Sequence, residues 1–409
     1  MILYNEAKAI IQNAGKALGS KTETIVLQES VGRVCAQNIK APIDIQPFDN
    51  SAMDGFAVKM ADLEGTGCTL TKVGTIAAGA DVPRVELQAG QCMEIMTGAP
   101  VPPGVDTVIP IELVTVNGDQ VTFNTLPAAG ANIRHAGEDF KQGMDVLSAQ
   151  QVIQPQHIMP LATLGIDALQ VYKKPRGVFL ATGDELVDDL TQSLKPGQIY
   201  NSNRPYGLAA LEAMGVDCVD APSMPDNAKQ FEEFLENISQ QNIDLIISSG
   251  AVSAGKFDFI RKGLENIGAE ILFHKVKIKP GKPNLFARLP NGTLYFGLPG
   301  NPVSTAAGLR FFLQPCLRAM VGLGDEQPVK ARVAEPFKKR PEFRMFLKSN
   351  AYVDKGGDLT VNFLEGQASF MVRPFLEMNC WAVVEEGIDE TKAGDSVDIY
   401  PLYPNVGLL

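Results

Sequence analysis

The run LIISSGAVSAGKFD at residues 245–258 constrains the fold more than any other stretch. The β-branched and leucine residues from Ile243 onward predict a buried parallel strand over residues 243–247. The chain then breaks into a small-residue loop that contains Ser248, Ser249, Gly250, Ala251 and Ser253. Beyond it Phe257, Ile260, Leu264 and Ile267 recur at helical spacing, and Gly268 predicts the helix end. A strand, a small-residue loop and a helix in succession can hold an anion on backbone N–H groups and a helix N-terminus. The loop fits neither GxGxxG nor GxxxxGK[ST], so an ordinary βα turn explains it equally well.

Its neighbours set the class. Strands over 178–181, 216–219, 243–247 and 270–273 alternate with helices near 204–214 and 227–238, the second capped by Asp226. That alternation predicts a doubly wound α/β domain with a mostly parallel sheet. Ligands of such sheets bind beyond the carboxyl ends of the strands. The loops there are Thr182-Gly183-Asp184-Glu185, Pro225-Asp226, the opening stretch, and the run from Gly297 through Pro299 to Asn301-Pro302. Asn301 suits an N-cap and Pro302 the first helical turn, which predicts a second set of free N–H groups. In an extended segment Lys275, Lys277 and Lys279 share one face, with Val276 and Ile278 on the other. In a chain of net charge −11 such a row suits an anion, with solvated lysines on an edge strand as the competing reading. Asp184, Glu185, Asp226 and Asp258 stand beside it; they either cap helices or hold a hard cation, for which Mg²⁺ is the default with a phosphate ligand.

The flanking regions read differently. Residues 1–18 predict an amphipathic helix without the basic start or cleavage site of a signal peptide. From about 60 to 149 short strands are punctuated by glycine and proline, with a hairpin across Gly118-Asp119. Asp54 stands in a DNSAMDG turn, Thr97 in a glycine loop, and Asp139 in a loop that also holds Arg134, His135 and Glu138. Helical spacing returns at Ile158, Leu161 and Leu164, and after Gly324 short strands predict a small barrel. The net charge of −11 argues against a nucleic-acid binder, and no apolar stretch approaches the length of a membrane span. Six scattered cysteines without a C-x-x-C suggest reduced thiols in the cytoplasm, and three histidines without i, i+4 pairing argue against zinc.

Eight motifs in order, PFDNSAMDGFAV, IMTGAPVPPGVDTVIPIE, IRHAGEDF, ATGDEL, GQIYNSN, SSGAVSAGKFD, KVKIKPGKP and GLPGNPVS, resemble the molybdopterin molybdotransferase family, the bacterial MoeA proteins and the gephyrin E domain. The resemblance spans essentially the whole chain. It implies a discontinuous N-terminal linker and dimer domain (1–41 and 144–172), a β-rich domain (42–143), an α/β molybdopterin-binding domain (173–322) and a C-terminal β-barrel (323–409). It further implies a cytoplasmic homodimer that inserts molybdate into adenylylated molybdopterin with Mg²⁺ and releases AMP. The adenylyltransferase that supplies the substrate and the proteins that accept the cofactor are its implied partners.

The family's acidic functional residues fall on Asp54, Asp139, Glu185, Asp226 and Asp258, with Glu185 and Asp258 as metal ligands. Substrate contacts fall on Thr97, Ser248, Ser249, Gly250, Ser253, Lys275, Lys279, Lys282, Pro299, Asn301, Pro302 and Ser369. Family dimers build the site from the α/β domain of one subunit and the β-rich domain of the other, which would join Asp54, Thr97 and Asp139 to it. Three departures stand out: Ala251 replaces a usual glycine, the GQASFMVRP loop is poor in serine, and Arg344 sits one place early in the R-x-E-F-x-R pattern. The last two bear on the oxyanion side. Two other activities fit the fold: a molybdopterin adenylyltransferase, against which the extra β domains argue, and a non-catalytic scaffold, against which the five carboxylates argue.

Overall fold

The computed structural model describes residues 1–81, 86–251 and 259–403. The chain divides into two compact units: Thr24–Val31 with Cys35–Leu169, and Met1–Glu23, Gly32–Val34 and Gln170–Leu409.

The first unit is built on a six-stranded sheet of β1 (Gly55–Val58), β2 (Cys68–Ile76), β3 (Gln91–Ile95), β4 (Thr107–Pro110), β5 (Val114–Asn117) and β6 (Gln120–Phe123), in the order β4-β1-β3-β2-β6-β5. Only β2 and β3 run parallel; the other neighbours are antiparallel, and β5 and β6 form the expected hairpin. Alternation along β1 sends Phe56 and Val58 into one apolar cluster and Ala57 into another, so both faces of the sheet are covered. Gly55 is obligatory there, because a Cβ would lie 2.1 Å from the Ile109 carbonyl oxygen.

The second unit holds the predicted α/β sheet. Its strands are β7 (Arg176–Ala181), β8 (Asp217–Asp220), β9 (Leu245–Ser249), β10 (Glu270–His274), β11 (Leu285–Arg288) and β12 (Leu294–Leu298), in the order β8-β7-β9-β12-β11-β10. The first four neighbours are parallel, and β11 runs antiparallel between β12 and β10. The helices Asn203–Ala213, Ala228–Ser239 and Phe259–Asn266 bury Ala210 and Leu211, Phe231 and Leu235, and Ile260 and Leu264 respectively. The central strand differs from the sequence reading: it starts two residues later and takes in Ser248 and Ser249, which pair with Gly297 and Leu298 of β12. Hydroxyls enter the sheet because they find partners there, Ser248 Oγ accepting from the Tyr295 hydroxyl at 2.6 Å.

The helix Pro302–Gly308 continues through a π-turn at Leu309–Leu313 into Gln314–Met320. The N-terminal helix Tyr4–Leu18 lies along that last segment, with Ala7, Ile11 and Ala14 buried. Gly15 permits the approach, since a Cβ would stand 2.7 Å from the Cys316 carbonyl oxygen.

The C-terminal strands β13 (Val329–Val333), β14 (Arg344–Val353), β15 (Leu359–Phe363), β16 (Cys380–Val384) and β17 (Ser396–Pro401) close a barrel, because β14 pairs with both β15 and β16. Met345 and Leu347 of β14 fill its interior, while Phe346 points outward and stacks on Phe311 with ring centroids 3.9 Å apart. Among the described residues no helix is long and apolar enough to cross a membrane.

Candidate active site

A cleft of about 530 Å³ opens beyond the carboxyl ends of β7, β9 and β12. Strand β7 delivers Thr182, Gly183 and Glu185, strand β9 delivers Ser249, Gly250 and Ala251, and strand β12 delivers Pro299, Gly300, Asn301 and Pro302. The loops meet closely. A Cβ on Gly250 would fall 2.4 Å from the Thr182 carbonyl oxygen, and one on Gly300 would touch the Gly250 Cα at 3.4 Å. Gly250 also has φ 108°, a conformation side chains avoid, so no other residue fits. Asn203 stitches the floor, its Nδ2 donating to the Gly300 carbonyl at 2.7 Å. Ala251 has φ 46°, so the methyl at this position sits on a left-handed backbone.

The carboxylates divide by environment. Asp226 does not cap the following helix: the N-cap is Asn227, whose side chain accepts from the Gln230 N–H at 3.1 Å. One residue decides this, because Asn227 has the extended backbone a cap needs and stands directly before the first helical turn. Asp226 is thereby released toward the cleft, its backbone N–H donating to Asp184 Oδ1 at 3.2 Å. Its own Oδ1 is buried without a partner among the described residues, as is Thr182 Oγ1. Burial, and then the charges of Asp184 and Glu185, push the Asp226 carboxyl above its ordinary pKa. Among the described residues no three acidic, histidine or cysteine side chains converge on a ready-made cation cage. Two carboxylates completed by phosphate oxygens and water are the donor set Mg²⁺ ordinarily takes, and the unpartnered Asp226 oxygen beside Glu185 fits that set. Asp258 and Ser253 lie outside the described residues.

Similarity to known proteins covers the whole chain. The family models for the MoeA N-terminal region (domain I and II), a probable molybdopterin binding domain and the MoeA C-terminal region (domain IV) match residues 2–165, 178–319 and 330–402. A molybdopterin molybdenumtransferase of Haemophilus influenzae is 37% identical over 93% of this chain and 94% of its own length. One from Synechococcus elongatus is 34% identical over 98% of this chain and all of its own. The chain belongs to the molybdopterin molybdenumtransferase (MoeA) family. A crystal structure of a molybdopterin biosynthesis MoeA protein from Pyrococcus horikoshii superposes with a TM-score of 0.81 at 28% identity, covering 98% of this chain and 99% of that one.

Several expectations for a MoeA protein change on this chain. Ser248 is wholly buried behind the cleft and engaged with Tyr295, so of the two strand-end serines only Ser249 reaches the lining. The lysine row is broken: the segment is extended only at Ile278–Lys279, and Lys275 has φ 69°. Among the described residues Lys275 and Lys282 line neither this cleft nor a second one of about 460 Å³, which Lys279 lines with Lys338, Lys339, Arg340, Gln367 and Ala368. Among the described residues no carboxylate lines that cleft. Burial lowers the Lys339 pKa, and its Nζ donates to the Phe343 carbonyl at 2.7 Å. Lys338 and Lys339 escape the sequence reading, although the FKKRPEFR run sets both beside Arg340 and Arg344. Arg344 is not among the residues that line the cationic cleft. It is buried, bonded to Glu386 at 2.9 Å, Glu385 at 3.1 Å and Asn5 at 2.9 Å, and lies over the Tyr4 ring. Asn301 starts its helix without a side-chain cap, its Nδ2 donating instead to Ser369 Oγ at 3.0 Å.

In the other unit Asp54 Oδ1 accepts from both the backbone N–H and the hydroxyl of Thr97, at 2.7 and 2.8 Å. Those bonds hold its carboxyl below the usual carboxylate range. Asp139 is exposed, and its loop is held by Asp49, which accepts from the Ala136 N–H at 2.8 Å.

Proposed function

We propose that the chain inserts molybdate into adenylylated molybdopterin with release of AMP, as a cytoplasmic homodimer that uses Mg²⁺. One observation carries the reading: the half-buried Asp226, with an oxygen that has no partner among the described residues, shares with Glu185 a cleft lined also by the glycine-bearing loops at Gly183, Gly250 and Gly300. That surface suits a phosphoanhydride bridged by a cation. Glu185 and Asp226 would hold Mg²⁺, which supplies charge neutralisation at the anhydride when bound. The backbone of Gly250, Ala251 and Gly300 lies where close approach to the nucleotide needs no side chain. The cationic cleft of Lys279, Lys338, Lys339 and Arg340 suits the molybdate dianion. We assign Asp54, Thr97 and Asp139 to the same reaction, and the four-part division at residues 41, 143, 172 and 322 to its domains, on the family resemblance.

The test supplies purified protein with adenylylated molybdopterin, Mg²⁺ and molybdate, and follows AMP release. Release that depends on molybdate is expected; its absence under saturating substrate rejects the reading.

A further inference from the structure

The two clefts share one wall, and a buried cation anchors it. Loop residues Gln367 and Ala368 line the cationic cleft, while Phe370 lines the carboxylate cleft. Ser369 between them bonds across to the Asn301 side chain, and its carbonyl accepts from the Val303 N–H at 3.1 Å. Phe370 is 68% exposed, so its own burial does not fix the loop. Lys348 on barrel strand β14 does. Its side chain is fully buried, and its Nζ donates to the carbonyls of Gly366 at 2.5 Å, Ala368 at 3.3 Å and Met371 at 2.8 Å. The Gln367 amide brackets the Lys348 backbone at 3.1 and 2.8 Å. Among the described residues no carboxylate is bonded to the ammonium, and burial pulls its pKa down to about 8. A buried cation satisfied only by loop carbonyls is a costly arrangement that an apolar residue could replace if packing were all it did.

We propose that Lys348 is a positioning residue that clamps the 366–371 loop as the common wall of both clefts, so that binding of nucleotide and oxyanion depends on it together. The assignment of the two clefts to those ligands rests on the function proposed above. Replacing the ammonium by a neutral chain of similar length leaves three carbonyls without their shared donor, and the loop is expected to loosen without loss of the barrel.

The test compares wild type, Lys348→Met and Lys348→Gln as full chains. At saturating Mg²⁺, K348M is expected to raise KM for adenylylated molybdopterin and for molybdate each by about tenfold, with kcat within about threefold. K348Q, which keeps two N–H donors, should fall between. Amide hydrogen exchange should quicken in residues 364–376 of K348M and remain unchanged in the other barrel strands. Unchanged KM values with unchanged exchange overturn the proposal, as does a lower melting temperature with unaltered KM, which marks a structural role only. If K348M does not fold, K348Q carries the same comparison. If wild type releases no AMP, the functional reading falls, and the clamp is then judged on exchange alone.

Discussion

Asp226 shows how one residue trades stability for chemistry. Its carboxyl pKa is raised, first by burial and then by Asp184 and Glu185. The native state therefore keeps a proton that the unfolded chain releases, and stability falls as pH rises through the window above the ordinary carboxylate value. Asp226→Asn removes that penalty. Thermal melting without Mg²⁺ should show the variant above wild type at pH 7, with the gap closing toward pH 3. AMP release should drop on the order of 10- to 100-fold. At Ala251 the left-handed backbone at φ 46° predicts that Ala251→Gly stabilises by about 1 kcal/mol, read by denaturant unfolding. Its neighbour reverses the sign: Gly250→Ala drives a methyl into the Thr182 carbonyl and should cost about 2–3 kcal/mol. The departure at Ala251 was legible as a substitution, but only the backbone angle shows what the methyl does.

At the scale of elements, the cleft depends on how the helix Asn203–Ala213 seats on β7. Gly207 lets it settle, since a Cβ would lie 2.4 Å from the Phe179 ring, and Asn203 ties its first turn to the Gly300 loop. Gly207→Ala should destabilise by about 1–3 kcal/mol through overpacking. Asn203→Ala should cost about 1 kcal/mol in unfolding free energy yet raise KM for the nucleotide substrate, because the loop beyond β12 loses its donor. The π-turn at Leu309–Leu313 keeps Arg310 buried, its guanidinium donating to the Pro401 carbonyl at 2.9 Å and to Glu326 at 2.7 Å. Strand and helix identities were readable from periodicity, because a buried parallel strand and an amphipathic helix each leave a repeat in the sequence. The strand end was not. Ser248 and Ser249 read as loop until Tyr295 and Asn203 supply their partners from elsewhere in the fold.

Across the larger unit, the N-terminal helix joins the α/β layer and the barrel through one seam. Tyr4 packs edge-on against Phe312 and Phe346, its hydroxyl donates to the Phe311 carbonyl, and Arg344 lies on its ring at 4.8 Å. Ile11→Ala in that seam should cost about 2–5 kcal/mol in thermal or denaturant unfolding. At temperatures where the protein stays folded, kcat should be unchanged, because Ile11 touches neither cleft. The sequence alone determined the class of each region, the parallel sheet with its ligand-facing loops, and the family, since these rest on local periodicity and on ordered motifs. Only the tertiary structure decided which charges are available. It frees Asp226 by giving the cap to Asn227, commits Arg344 to Glu385 and Glu386, breaks the lysine row at Lys275, and sets Lys348 behind the wall between two clefts. A side chain's charge is written in the sequence; whether it faces a ligand depends on partners that only the fold brings beside it.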